Sequence, residues 1–134
     1  MKVYLSYASE DEELARALAM AMKSEGIDLW VDFWEILPGD DFFSQTASAL
    51  EECDSMVVLV TANSVKSRHV KEEIRRSLRG RRYKERLVPV WVGSPKDLSR
   101  EVSWVLDAVQ GVVWSGSPAL AAREIAAALA TVPA

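Results

Sequence analysis

Residues 55–60 read Ser55-Met56-Val57-Val58-Leu59-Val60, a run of strand-forming residues with no polar side chain after its first position. A strand with one wet face alternates apolar and polar residues. One that is apolar throughout needs cover on both faces, the condition of a strand inside a parallel sheet flanked by helices. The run points to an α/β fold, and the segments on either side decide whether strands and helices alternate as that fold requires.

Upstream, Val3-Tyr4-Leu5-Ser6 reads as a first strand, and Ser9-Glu10-Asp11-Glu12 as a capping box opening a helix to about Ser24. Leu14, Ala17, Leu18, Ala21 and Met22 recur at helical spacing, and Gly26 stands where a helix commonly stops. The acids Glu10 to Glu13 suit a helix N-terminus, so they need no functional reading. Asp28 to Val31 is a second strand, followed by the loop Asp32-Phe33-Trp34-Glu35-Ile36-Leu37-Pro38-Gly39 and a helix near Asp40 to Glu52. Downstream, Asn63 to Ser67 is turn-like, and Ser67 caps a helix that turns Val70, Ile74 and Leu78 inward. Leu87 to Val92 is a fourth strand, in which Pro89 has no N–H to give a ladder and predicts a strand start, a bulge or a locally unpaired edge. Residues 97–109 read as a short helical region and Val112 to Trp114 as a last strand. Ser117-Pro118 supplies a cap and first-turn proline for an Ala-rich final helix. Five strands alternating with helices predict a flavodoxin-like three-layer fold with a parallel sheet ordered 2-1-3-4-5. Leu5, Val58, Leu59 and Val90 belong in its buried layers, and the loop over 32–39 is expected to move more than the sheet.

The 134 residues are read as a single domain over 1–134, a length ordinary for one hydrophobic core. Apolar residues make up 49% and charged ones 27%, the balance of a folded soluble protein rather than a disordered one. No apolar run approaches the roughly 20 residues of a membrane helix, so no membrane association is expected. Cys53 is the sole cysteine, which rules out an internal disulfide and makes the cytoplasm the default compartment. A net charge of −4 argues against bulk attraction to nucleic acid. The basic run from Arg75 to Arg86 has no interleaved groove-reading motif and reads first as a solvated helix end, or else as a contact surface for acidic residues on a second copy.

Several chemistries share this architecture, and the loops exclude most of them. An FMN site needs a hydroxyl- and glycine-rich phosphate loop after the first strand, where this chain carries Ser6-Tyr7-Ala8-Ser9-Glu10-Asp11. A phospho-receiver needs an aspartate at the end of the third strand, where Val60-Thr61-Ala62 stands. No dinucleotide-binding or P-loop glycine motif occurs, no Cys/His cluster has metal-ligand spacing, and His69 is the single histidine.

Three segments together resemble the TIR (Toll/interleukin-1 receptor) family, of bacterial type, over Lys2 to about Leu129. VYLSYASED, residues 3–11, is similar to the family's opening strand and the loop before its first helix. LWVDFWEILPGDDF, residues 29–42, resembles the second strand and the BB loop, with Asp32, Glu35, Pro38 and Gly39 in order. SVKSRHVKEEI, residues 64–74, resembles the S-x-W-V-x-x-E element, with His69 in place of the tryptophan. The resemblance implies two activities: cleavage of NAD as substrate, with no cofactor or metal, or assembly with other TIR domains as a scaffold. A nucleoside-processing enzyme of the same fold is a third reading. In NAD-cleaving members the glutamate closing the third element is catalytic, and here that is Glu73.

Helical geometry supports the choice independently. At about 100° per residue Glu73 lies on the rim of the apolar stripe near Val70, whereas Glu72 faces solvent. A plain ion pair with Arg76 is the structural alternative for Glu73. Tyr7, Phe33 and Trp34 are candidate stacking surfaces for a base, although an aromatic next to a strand is more often a core residue than a ligand contact. Ser67 and His69 are candidate contacts near the same cleft, Ser67 first as a helix cap, while Asp32 suits capping of its own loop.

Overall fold

The computed structural model describes residues 2–79, 87–93 and 111–130, the side chains of 77–79 excepted. Among the described residues β1 (Lys2–Ser6), β2 (Asp28–Trp30), β3 (Ser55–Val60), β4 (Leu87–Trp91) and β5 (Val112–Val113) form one sheet ordered β2-β1-β3-β4-β5. All four pairings are parallel. This is the predicted flavodoxin-like order, and the region expected to be helical over 97–109 lies outside the described residues.

Strand parity sorts the core into two layers. Val3, Leu5, Val57, Leu59, Val88 and Val90 face one way, toward α1 (Glu12–Ser24) and the final helix Pro118–Ala130. Tyr4, Met56, Val58, Val60 and Leu87 face the other, toward α3 (Phe42–Glu52) and α4 (Arg68–Arg79). Every residue of β3 is buried, which is why its sequence shows no alternation. α1 stops in a Schellman motif: Gly26 sits at φ 80°, its N–H donates to Lys23 C=O and that of Ile27 to Met22 C=O. Ser67 Oγ accepts from Val70 N–H at 3.2 Å and Ser117 Oγ from Leu120 N–H at 3.2 Å, the caps expected for α4 and for α5, the final helix.

Pro89 fits without a bulge. Val92 N–H donates to Val60 C=O, so alternation aims Val90 and Val88 at β3 and turns the Pro89 nitrogen toward β5. Among the described residues the β5 ladder begins at Val90–Val112, so Pro89 stands before its first pair.

Two local expectations change. Ser9–Asp11 is a 3-10 turn with no side-chain cap, and Asp11 instead spans two loops: Thr61 Oγ1 donates to it at 2.6 Å and Asn63 Nδ2 at 2.8 Å. Asp11 thus ties the loop after β1 to the loop after β3, while Ser9 donates to Glu10 and Glu12 pairs with Arg16 instead of closing a capping box. The segment expected as a loop from Asp32 opens with one helical turn, α2 (Asp32–Glu35), held by bonds from Trp34 and Glu35 N–H to Val31 C=O.

Gly111 enters β5 pressed against β4. A Cβ there would stand 2.5 Å from Trp91 Nε1 and 3.1 Å from Pro89 Cγ. Gly111→Ala should therefore cost about 1–3 kcal/mol, as overpacking does. Thermal denaturation of Gly111→Ala, alone and combined with Trp91→Ala, checks it: the second change should recover part of the loss.

Candidate functional site

The site grows from β1 parity. Tyr4 and Ser6 are two residues apart and project to the same side of the sheet, toward α4. Glu73 lies on α4 one turn beyond His69 and is buried, 5% exposed, on the rim of the stripe carrying Val70 and Ile74. There it collects three partners. Tyr4 Oη donates to Oε2, Ser6 Oγ donates to Oε1 at 2.9 Å, and His69 Nε2 lies 3.0 Å from Oε1. Glu72, its neighbour, keeps a side chain 45% exposed and pairs instead with Arg75 and Arg76. The alternative of a surface Glu73–Arg76 pair thus gives way to a buried carboxyl held from beneath by β1.

Burial pushes the Glu73 carboxyl well above the usual glutamate range, against the pull of the Arg76 guanidinium. Burial also lowers His69, partly offset by Asp32, so the imidazole is neutral at neutral pH. A neutral His69 in the Nε2–H tautomer donates to Glu73. The carboxyl is thus ringed by donors yet poor in solvent, and a positive charge placed beside it would favour its ionised form.

Glu73 faces a cleft of about 870 Å³ beyond the carboxyl end of β1, between α3 and α4, within the size range of small-molecule sites. Tyr7 and Ser9 line it after β1, Glu12 from α1, Asp32 from the start of α2 and Ser67 from the cap of α4. Phe42, Phe43, Thr46 and Leu50 of α3, with Arg68, His69 and Arg76 of α4, complete the wall, and Glu72, expected to face solvent, also borders it at the exposed rim. Tyr7 Oη donates to Asp32 Oδ1 at 2.5 Å, which fastens the start of α2 to the end of β1. Desolvation and that carboxylate raise the Tyr7 phenol, so it remains a neutral donor.

Of the sequence-predicted residues, Tyr7, Ser67, His69 and Glu73 meet around this cleft. Phe33 and Trp34 do not. The turn of α2 rotates them onto the α1 layer, where the Arg16 guanidinium sits 4.3 Å above the Phe33 ring and Lys23 Nζ 5.4 Å above Trp34.

A TIR domain family model matches residues 3–129. The chain belongs to the TIR domain family. A TIR protein of Bacteroides thetaiotaomicron, the 2′ cyclic ADP-D-ribose synthase BtTIR, is 26% identical over 99 residues, 70% of this chain. The chain spans about a third of the length of that relative, 33%. In structure it is similar to a metazoan TIR-STING receptor from C. gigas in complex with 2′,3′-cGAMP, at TM-score 0.78 and 18% identity, covering 97% of this chain and 39% of that one. It is also similar to the TIR domains of the activated Roq1 resistosome, at TM-score 0.74 and 19% identity over 94% of this chain and 97% of that one. Identity at this level shows the TIR fold and nothing further.

Within that fold, sequence reasoning missed Tyr4 and Ser6, which hold the carboxyl, and Phe42, which faces the cleft. The period-2 alternation of β1 already set Tyr4 and Ser6 on one face; what it lacked was the knowledge that α4 lies over that face. At the family's tryptophan position His69 still presents a ring, tilted at 47° to Phe42 with centroids 5.2 Å apart.

Proposed function

We propose that this TIR domain cleaves the nicotinamide–ribose bond of NAD, with Glu73 as the catalytic residue. The observation that carries the reading is a single buried carboxyl, fixed by Tyr4, Ser6 and His69, on the wall of an open cleft at the sheet's carboxyl edge. A relative named for cyclic ADP-ribose synthesis supports it.

Nicotinamide leaves as a neutral molecule, taking the electron pair of the C1′–N bond, so no general acid is needed. Positive charge then develops on the ribose as an oxocarbenium-like species, and an adjacent carboxylate stabilises it. Arrival of the pyridinium cation favours the ionised form of Glu73 that burial disfavours in the free protein, so the charge is strongest when the substrate is present. Water attacking C1′, with loss of a proton, gives ADP-ribose; attack by a nucleophile of the same molecule gives a cyclic product.

The test is nicotinamide release from NAD by the wild type and Glu73→Gln at high protein concentration. Turnover in the wild type and its loss in the variant uphold the reading; no turnover at any concentration overturns it. Its pH profile is a second check. Because burial raises Glu73, kcat/KM should climb from acid toward neutral pH with a midpoint above that of an ordinary glutamate. A midpoint at or below that range would contradict the assignment.

A specific observation favours self-association. Leu37, next to the Pro38–Gly39 turn, is 65% exposed, and Phe43, which lines the cleft, is 74% exposed. Large apolar groups in that position suit a second copy of this chain. A scaffold that associates without turnover is the second reading, and the same assay separates the two.

A further inference from the structure

A flat surface beside Glu73 would orient the departing base, and the aromatic pair of the second loop does not provide it. Phe33 and Trp34 lie on the α1 layer under Arg16 and Lys23. Tyr4 is buried with its ring stacked on Trp30 at 5.0 Å. Phe42 is different: half-buried, it lines the cleft and leans on His69, whose other contact is the Glu73 carboxyl.

Its backbone is held from both sides. Asp41 caps α3 by accepting from Phe43 N–H at 3.1 Å and Ser44 Oγ at 2.8 Å, while Thr46 Oγ1 donates to Phe42 C=O at 3.0 Å. The backbone that carries the ring is thus set before any ligand arrives, which reduces the ordering cost of binding. Phe43, one residue on and about 100° around the helix, also borders the cleft but is 74% exposed, so Phe42 is the more deeply set of the two rings.

Resting on the NAD-cleaving reading, we propose that Phe42 is the positioning surface on which the nicotinamide ring stacks, with His69 alongside, so that the site selects a planar cationic base. The ring face attracts a pyridinium by stacking and by cation–π interaction. Both are made in the ground state, and the cation–π part disappears when nicotinamide departs uncharged. Loss of the ring therefore weakens substrate binding more than it slows the bond-breaking step.

The experiment compares Phe42→Ala, Phe42→Leu and Phe42→Tyr for NAD turnover, with thermal melts to establish folding. Phe42→Ala should raise KM by about tenfold, the size of a base–aromatic stack, with kcat changed by less than about threefold. Tyr should restore KM and Leu should not. An unchanged KM in Phe42→Ala, or a Leu variant as good as Tyr, overturns the proposal while leaving NAD cleavage intact. A second measurement does not depend on turnover: nicotinamide mononucleotide is titrated into Glu73→Gln by proton NMR. Ring-current upfield shifts of the pyridinium protons, lost in Glu73→Gln/Phe42→Ala, support the stack. Their absence sinks it, whether or not the wild type cleaves NAD; failure of the wild type to cleave NAD sinks the parent reading instead.

Discussion

Replacing Glu73 by Gln should lower nicotinamide release by at least about 100-fold and, in the same protein, raise thermal stability at neutral pH. The kinetic loss follows from charge alone. Gln keeps the length and planarity of the side chain and can still hydrogen-bond Tyr4 and Ser6, but offers no anion to a developing oxocarbenium. Removing one well-placed electrostatic contact of this kind typically costs 10²- to 10³-fold. The stability gain has the opposite origin. Burial raises the folded-state pKa of Glu73 above its unfolded value, so the unfolded chain releases that proton more readily. The contribution of this group to stability is complete at acid pH, below the unfolded pKa, and is lost as pH rises through the folded one. The Gln variant has no such loss. Its melting temperature should exceed that of wild type near pH 8, by about 3–5 °C per kcal/mol recovered, and the gap should close toward pH 4. Melts of both proteins across that range check it. A gap that widens in acid would mean that the three donors outweigh burial and that the folded pKa is lowered.

Elements with a local cause were legible in the sequence. The all-apolar Ser55–Val60 run, the Gly26 stop and the Ser67 and Ser117 caps each depend on residues within a few positions, and the structure carries each of them. Glu73 was legible from helical phase, because its angle to Val70 does not depend on what packs above. What escaped was the distant partner. Asp11 reads as part of a capping box until Thr61 and Asn63, 50 and 52 positions away, compete for its carboxylate. Ser6 reads as a strand end until Glu73, 67 positions on, occupies its hydroxyl. Phe33 and Trp34 escaped for a subtler reason. Their place in the second loop fits either side of the sheet edge, and a single turn of α2 decides which, helped by two cations on α1 whose helical phase brings them over the rings. Sequence adjacency to a site is weak information wherever one helical turn can rotate a side chain by about 100°.

NAD cleavage should also depend steeply on protein concentration. The cleft is open, Phe43 on its wall is 74% exposed, and Leu37 of the Pro38–Gly39 turn is 65% exposed. Burying each against a second copy is worth about 1.5–3 kcal/mol before the cost of association, enough for contact at high concentration and not at low. If that contact orders the Pro38–Gly39 turn, the ordering cost is met by association and NAD meets a site already in its bound shape. Well below the dissociation constant the associated fraction falls in proportion to concentration, so specific activity should fall about tenfold for each tenfold dilution. Leu37→Asp/Phe43→Asp should remove both activity and association, since an interface cannot bury two unpaired carboxylates cheaply. Glu73→Gln should associate like wild type and remain inactive. Trp34→Ala separates the loop's seat from its contact face: Trp34 packs toward α1 under Lys23, so its loss should lower thermal stability as well as activity. The measurement is nicotinamide release across a dilution series, with light scattering on the same samples. Specific activity that stays constant down to concentrations where only monomer scatters would show that one chain holds the whole working site.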